Sequence, residues 1–397
     1  MRRLVEVGLA LLVVGCGAAS PSGVSTPSAT GAPPASTAPV ATASIPPTPQ
    51  PSPTASAFPT EAFAAISEDP VPAELAAELQ STLSRLAGDA GVSATILSPD
   101  GTWSGATGKA AGDRDVTVDT QFSIASITKA VAAAQVMQLV EAGKLGLDDP
   151  VADHLPSDIE FDTNGATIRH LLGHRSGIPD YAETVDLTAD PLRFWKPAEL
   201  LAAIPAQRKP VGVESEYGNV NYLLLGMVIE EVTGRPVAKV LRDGVLGIDG
   251  VERLIYQPDE VPTQPIAIEK SQSTEVLESM GGFVPSFALT SDGAAAAMAS
   301  DSVSLARWWQ AFCAGEIVSQ ASVTEMMPTT DWYGLGIGNE WNISGVVGHG
   351  GSDTDGNALA GCLPESGVAF AVLVNRSTDI VDSRTVAAWL VQTANQH

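Results

Sequence analysis

Two pairs of strand-like runs stand at opposite ends of this 397-residue chain, with mostly helical sequence between them. Val92 to Leu97 and Trp103 to Gly108 flank Pro99-Asp100-Gly101, a turn signal that makes the first pair a hairpin. The second pair is Asn357 to Leu363 and Val368-Ala-Phe-Ala-Val-Leu-Val374, and Gly334 to Ile337 reads as a further strand. A leading helix from Pro72 to Leu86 carries Leu75, Leu79, Leu83 and Leu86 in one stripe, and a final helix spans about Asp379 to Ala394. Residues 127 to 315 supply helices at Thr167 to Gly173, Pro197 to Ile204, Asn221 to Val232, Pro236 to Leu241 and Leu305 to Phe312. The pattern predicts an α/β (α+β) fold in which one sheet, assembled from distant segments, carries a helical insertion.

The chemistry begins at Ser126-Ile-Thr-Lys129, which opens an apolar helical run with Val136, Leu139 and Val140 at helical spacing and Gly143 as its stop. Residues three apart share a helix face, so the Lys129 amine would lie beside the Ser126 hydroxyl. A hydroxyl becomes a nucleophile when a neighbour takes its proton, and a lysine desolvated among apolar side chains can do so near neutral pH. Backbone N–H groups at a helix start favour the negative charge that develops in the reaction. The four-residue pattern alone recurs by chance roughly once in a few hundred residues, so its context has to decide.

Charge is distributed unevenly. No Asp, Glu, Lys or Arg occurs from Val7 to Thr60, whereas the chain from residue 61 onward carries 45 acidic and 19 basic residues, a net charge of −26. So acidic a surface excludes nucleic acid as a partner and suits a soluble domain outside the cytoplasm. Arg2 and Arg3 precede an apolar stretch, Val7 to Val14, that is too short for a stable membrane span and right for a secretory signal. It ends Val13-Val14-Gly15-Cys16, which resembles a bacterial lipoprotein signal, with Cys16 as the lipidated residue after cleavage. Residues 16–60 are Ala, Ser, Thr, Pro and Gly almost throughout, a composition that cannot bury a core and reads as a tether. At ~3.1 Å per residue it could hold a domain on the order of 100 Å from the lipid. The expected organisation is a signal at 1–15, a lipidated tether at 16–60 and a folded part at 61–397. The folded part divides into a sheet lobe (about 70–122 and 285–397) and a helical lobe (about 123–284). A lipid-anchored, extracytoplasmic monomer is expected.

Other chemical residues fall on loops and strand ends. Tyr217 and Asn219 precede the helix from Asn221, and Gly348-His349-Gly350-Gly351-Ser352 follows Val346-Val347 as though ending or edging a strand. His170 and His174 are four apart, but no Glu follows His170 as a zinc H-E-x-x-H motif requires, and Leu171-Leu172 indicate a packed helix. No G-x-S-x-G elbow and no phosphate-binding glycine loop is present, so neither metal nor cofactor is expected. Cys313 and Cys362 could pair or remain buried thiols, since the sequence does not give their separation.

Taken together, Phe122-Ser-Ile-Ala-Ser126-Ile-Thr-Lys129 resembles the nucleophile motif of the serine β-lactamase and penicillin-binding protein superfamily. Tyr217-Gly-Asn219 and His349-Gly350-Gly351 resemble the second and third motifs of its class C-like branch. Thr167 to Asp180, Ser300 to Arg307 and Tyr333-Gly-Leu-Gly336 are similar to noncatalytic stretches of that branch, in the same order over roughly 70–397. The resemblance implies a β-lactamase/transpeptidase-like fold with a mainly antiparallel sheet. It implies Ser126 as nucleophile, Lys129 as the base or the group that depresses its neighbours' pKa, and Tyr217 as second proton carrier. Asn219 would hold the substrate amide. His349 would face a substrate carboxylate or tune Tyr217, with Gly351 and Ser352 on the same substrate-binding strand. Backbone N–H groups of Ser126 and Ser352 would form an oxyanion hole, and a small peptide, ester or lactam would be the substrate. Histidine in place of lysine at the third motif points to the carboxypeptidase-like and esterase-like members, with D-alanyl-D-alanine termini as one substrate, a family VIII-type esterase or a weak class C-like β-lactamase as alternatives, and an idle cell-wall-peptide binder as the rival class.

Overall fold

The structure is a computed structural model that describes residues 56–63, 66–189, 193–268, 293–328, 332–339, 343–353, 356–376 and 381–394. The chain parts into Met1–Pro53 and Thr54–His397, and the first unit lies outside the described residues. The signal, Cys16, most of the tether and Asp379 therefore also lie outside them. No helix among the described residues is long and apolar enough to cross a membrane.

The chain builds a helix α1 (Ala73–Ala87), strands β1 (Val92–Ser98) and β2 (Gly101–Thr107), a small ribbon of β3 (Lys109–Ala111) and β4 (Arg114–Asp115), then β5 (Phe122–Ser123) and α2 (Thr128–Glu141). The helical part follows as α3 (Ile168–Leu172), α4 (Pro197–Ala203), α5 (Asn219–Thr233) and α6 (Val237–Asp243), closed by β6 (Ile255–Tyr256) and β7 (Met298–Ser300). Helices α7 (Ser302–Cys313) and α8 (Gln320–Met326), strands β8 (Val347–Ser352), β9 (Asn357–Leu363) and β10 (Val368–Val374), and α9 (Ser383–Ala394) complete it.

One antiparallel sheet has the order β2-β1-β10-β9-β8, so the two ends of the folded unit meet where β1 pairs with β10, Val92 opposite Val374. Side chains alternate across a strand, and both faces of this sheet are covered. Val368, Phe370, Val372 and Val374 pack with Leu75, Leu79 and Leu83 of α1 and with Val386 and Leu390 of α9. Ala369, Ala371 and Leu373 face the larger cluster that contains α2, α5 and α7. Each fully buried leucine such as Leu79 or Leu83 contributes about 2 kcal/mol by leaving water, which is why the leucine stripe selects a helix here. Small residues on the second face, among them Ala358, Ala360 and Ala369, allow α7 to lie close. On this face Cys362 of β9 is bonded to Cys313 of α7, closing a 49-residue separation. Loop closure of that length stabilises by about 4 kcal/mol. Reduction should lower the urea midpoint accordingly, and an unchanged midpoint with both thiols alkylated would show the bond to be dispensable.

Helix α2 is buried on nearly every side, from Thr128 through Met137, as a helix apolar all round should be. Its start is fixed from two directions. Strand β5, just before it, pairs with β7, Phe122 opposite Ser300, and β7 also pairs with β6. These two- and three-residue strands carry no periodicity and have no counterpart in the sequence reading.

Three segments differ from expectation. Gly334 to Ile337 is a turn rather than a strand, with Gly334 N–H donating to the Ile337 carbonyl at 2.8 Å. Gly336 has φ +84°, and a Cβ there would stand 2.3 Å from Ala133 Cβ, so glycine lets this turn tuck against α2. The last helix begins at Ser383, after Asp382, whose carboxylate accepts from Arg384 N–H. Packing also starts earlier than residue 61: Phe58 is buried, and its N–H donates to Thr324 Oγ1 at 2.9 Å.

Candidate active site

Ser126 lies in a short 3-10 turn, Ala125–Ile127, that leads directly into α2. The turn is strained at Ala125, whose φ of +41° is unusual for a residue with a side chain and persists only where its surroundings impose it. Three contacts impose it. Ile124 N–H donates to the Met298 carbonyl at 3.1 Å, and Thr128 Oγ1 donates to the Ala125 carbonyl at 2.7 Å. On the other side β8 approaches so closely that a Cβ on Gly351 would stand 2.1 Å from the Ile124 carbonyl oxygen.

Lys129, one turn on, is fully buried. Its Nζ lies 3.0 Å from Ser126 Oγ, 2.7 Å from Asn219 Oδ1 and 3.1 Å from the Ala295 carbonyl oxygen. An amine has no more than three N–H bonds, so two fixed acceptors leave its remaining direction pointed at the serine oxygen. This geometry suits proton exchange between Oγ and Nζ.

Tyr217 borders the same space. It is 40% exposed, and its ring centre lies 4.8 Å from Lys129 Nζ and 4.3 Å from the ring of His174. Its loop is held by a buried polar chain: Ser176 Oγ donates to Asn221 Oδ1, Asn221 Nδ2 donates to His174 Nδ1 at 3.1 Å, and Gly218 N–H donates to the same nitrogen at 3.3 Å. Asp180 adds a bridge, accepting from Val220 N–H at 3.2 Å and from Ala182 N–H at 2.8 Å. The residues from Thr167 to Asp180 thus carry the second motif's loop. His174 sits beyond α3 at φ +55°, while His170 turns to Thr167 and caps that helix. The two imidazoles therefore do not share a helix face.

His349 lies on β8, the edge strand of the sheet. Burial first, and then Lys129 whenever it carries its extra proton, push its imidazole down to about 3, so it is neutral. Its Nδ1 lies 2.6 Å from the Gly350 carbonyl oxygen and its Nε2 2.9 Å from Tyr333 Oη. His174 is pushed well below its ordinary value by burial, Lys129 and His349 in that order. Gly348 exchanges two hydrogen bonds with Gly338 on the edge away from β9, at 3.0 and 2.8 Å. The two-residue repeat of the strand then turns the N–H groups of Gly350 and Ser352 toward the same edge.

These elements enclose a cleft of about 620 Å³ lined by Ser126, Tyr217 and His349 through Ser352, so five of the predicted site residues line one cavity and Lys129 lies directly behind Ser126. Asn219 stands behind it, bonded to Lys129. The cleft has further walls that the sequence reading left unassigned: Trp332 and Tyr333 on the side of Tyr217, and Asp382, Ser383 and Arg384 at the start of α9. The Ala295 carbonyl had no signal at all, because a backbone acceptor leaves no trace in residue type. Asp353, beside Ser352, accepts from Ser123 Oγ and so ties β8 to the strand that precedes the nucleophile turn.

The family described as Beta-lactamase matches residues 41–395. Penicillin-binding protein 4 of Amycolatopsis lactamdurans is 35% identical over 149 residues, 36% of this chain and 38% of that protein. The curated relatives first matched are spanned over 26% of their own length. In structure the chain is similar to D-amino acid amidase from Ochrobactrum anthropi SV3, at a TM-score of 0.69 and 24% identity over 82% of this chain and 99% of that one. It is also similar to D-stereospecific amidohydrolase from Streptomyces sp., at 0.61 and 26% over 79% and 97%.

Proposed function

The chain belongs to the beta-lactamase family, and from that premise we propose that it is a serine hydrolase that cleaves amide or peptide bonds next to D-configured residues, in the manner of a D-alanyl-D-alanine carboxypeptidase. The observation that carries the reading is Lys129 Nζ at 3.0 Å from Ser126 Oγ in a cleft that Arg384 also lines. Ser126 Oγ attacks the carbonyl carbon and its proton passes to Lys129 Nζ. The oxyanion is met by the N–H groups of Ser126 and Ser352, each worth on the order of 3 kcal/mol. Tyr217 relays a proton to the departing amine, leaving an acyl-Ser126 that water hydrolyses. A neutral His349, engaged on both ring nitrogens, is a poor partner for a substrate carboxylate, so Arg384 takes that part. Two amidohydrolases named for D-substrates and a penicillin-binding protein among the similar proteins support this choice.

An esterase reading keeps the same nucleophile and makes no use of Arg384. Turnover of a D-Ala-D-Ala peptide, a p-nitrophenyl ester and nitrocefin by the purified domain separates them. The peptide is expected to give the highest kcat/KM; hydrolysis of the ester alone would overturn the peptidase assignment, and wall-peptide binding without any turnover would leave a binder. The Cys313–Cys362 disulfide suits an oxidising compartment, and with Cys16 it supports a lipid-anchored, extracytoplasmic enzyme. A diacylglyceryl group on Cys16, read by mass spectrometry of the membrane fraction, tests the anchor; a mature N-terminus elsewhere overturns it.

A further inference from the structure

Tyr333 belongs to a stretch read from sequence as noncatalytic, yet it stands in the wall of the cleft and is 4% exposed. Its hydroxyl oxygen is 2.9 Å from His349 Nε2, and the other ring nitrogen, Nδ1, is 2.6 Å from the Gly350 carbonyl oxygen. A carbonyl oxygen can only accept, so Nδ1 carries the proton of the neutral ring. Nε2 is then bare and accepts from the Tyr333 hydroxyl, which also meets Tyr222, whose own proton goes to the Leu172 carbonyl at 3.0 Å. The rings of Tyr333 and His349 meet edge to face at 5.5 Å, which leaves little freedom for another arrangement. His174 has the opposite tautomer, since its Nδ1 accepts from Gly218 and Asn221.

We propose that Tyr333 is a positioning residue for the reaction at Ser126, acting through His349: its hydroxyl proton holds that imidazole in the Nδ1–H form beside Lys129. The proposal rests on the reading of Ser126 as nucleophile. The titratable and charged groups that face His349 are Lys129 from α2, His174 from the turn after α3, Tyr217 from the loop before α5, and Tyr333 itself. Proton transfer from Ser126 to Lys129 creates an ammonium, and an imidazolium already present in the same buried cluster would oppose it. The donated proton of Tyr333 occupies the one lone pair on which that imidazolium would form. The same hold keeps Nδ1–H on the Gly350 carbonyl, so the edge of β8 offers the cleft a capped acceptor there and a donor at Ser352.

The test is the pH profile of Tyr333→Phe. A neutral hydrogen bond is worth about one unit of pKa, so the acidic limb that His349 sets at about 3 should move up by about one unit, and kcat/KM for a p-nitrophenyl ester should fall about fivefold at pH 3 and less than twofold above pH 5. In a His349→Asn background the same substitution should leave the acidic limb unmoved. An equal loss at every pH, or a limb that still moves without His349, would reduce Tyr333 to packing. Nitrogen-15 resonances of labelled histidine give a readout independent of turnover: His349 should hold a protonated Nδ1 and a bare Nε2 without titrating between pH 5 and 8, and Tyr333→Phe should bring its titration toward that range. A protonated Nε2 in the parent protein overturns the proposal even if Ser126 proves catalytic. If the parent protein turns over no substrate, the reading of Ser126 fails, and the resonances alone decide the role of Tyr333.

Discussion

Ser126→Ala is expected to lower hydrolysis by about 10⁴-fold or more and to abolish the adduct with a labelled penicillin or fluorophosphonate, while leaving the fold intact. The loss is large because Oγ is the only atom of that residue that can bond to the substrate carbonyl, and the residual rate comes from binding and the oxyanion donors alone. The fold should survive because Ser126 is partly exposed and Lys129 keeps two of its three acceptors, Asn219 Oδ1 and the Ala295 carbonyl. A buried amine with two good acceptors loses about 1 kcal/mol at most when the third is removed. The change in thermal midpoint should therefore be small. Full activity in this variant would overturn the mechanism, and a loss matched by unfolding would leave the serine structural.

Gly351→Ala is expected to cost both rate and stability. The φ of Gly351 is not in the left-handed region, so alanine meets no backbone strain there; the obstacle is space. A Cβ would stand 2.1 Å from the Ile124 carbonyl oxygen, 3.0 Å from its carbon and 3.3 Å from Ala125 Cβ. Two of these are main-chain atoms of the turn that presents Ser126, so either that turn or β8 must withdraw by about an ångström. Overpacking of this kind destabilises by about 1–3 kcal/mol. A shift of that size between nucleophile and oxyanion donor lowers rate by about 10²-fold. The loss should fall on kcat, because the displaced atoms stabilise the transition state rather than the bound substrate. Activity within threefold of the parent would show that the close approach of β8 does not hold the nucleophile turn.

Legibility varied with how local the determining interaction is. The hairpin of β1 and β2 was readable because Pro99 and Asp100 set the turn and fix the register that follows, Ser98 opposite Gly101. Strands β9 and β10 and helix α1 were readable because burial on one or both faces imposes its period on the residues. The turn at Gly334–Ile337 was misread because two glycines among apolar residues look like a strand until a neighbour, Ala133, excludes a side chain. Strands β5, β6 and β7 are too short to show any period; they exist because their partners are held beside them. In the site, Tyr217, Asn219 and His349 were found by motif, whereas Arg384 and Trp332 carry no local sign of facing the cleft.

The pairing of Ser126 with Lys129 is the part that sequence decided most directly, since three residues across the turn into a helix bring the two side chains close, although Met298 and β8 hold the turn that carries Ser126. What surrounds that pair was decided by tertiary structure. The acceptors that aim Lys129 lie 90 and 166 residues away, at Asn219 and Ala295, and the hydroxyl bonded to His349 comes from a turn 16 residues earlier. Sequence supplied a histidine at the third motif; burial beside a lysine made it neutral, and a tyrosine and a carbonyl chose its tautomer. Charge state and proton position depend on the dielectric and on the partners brought within 3 Å, and these come into being only when distant segments pack.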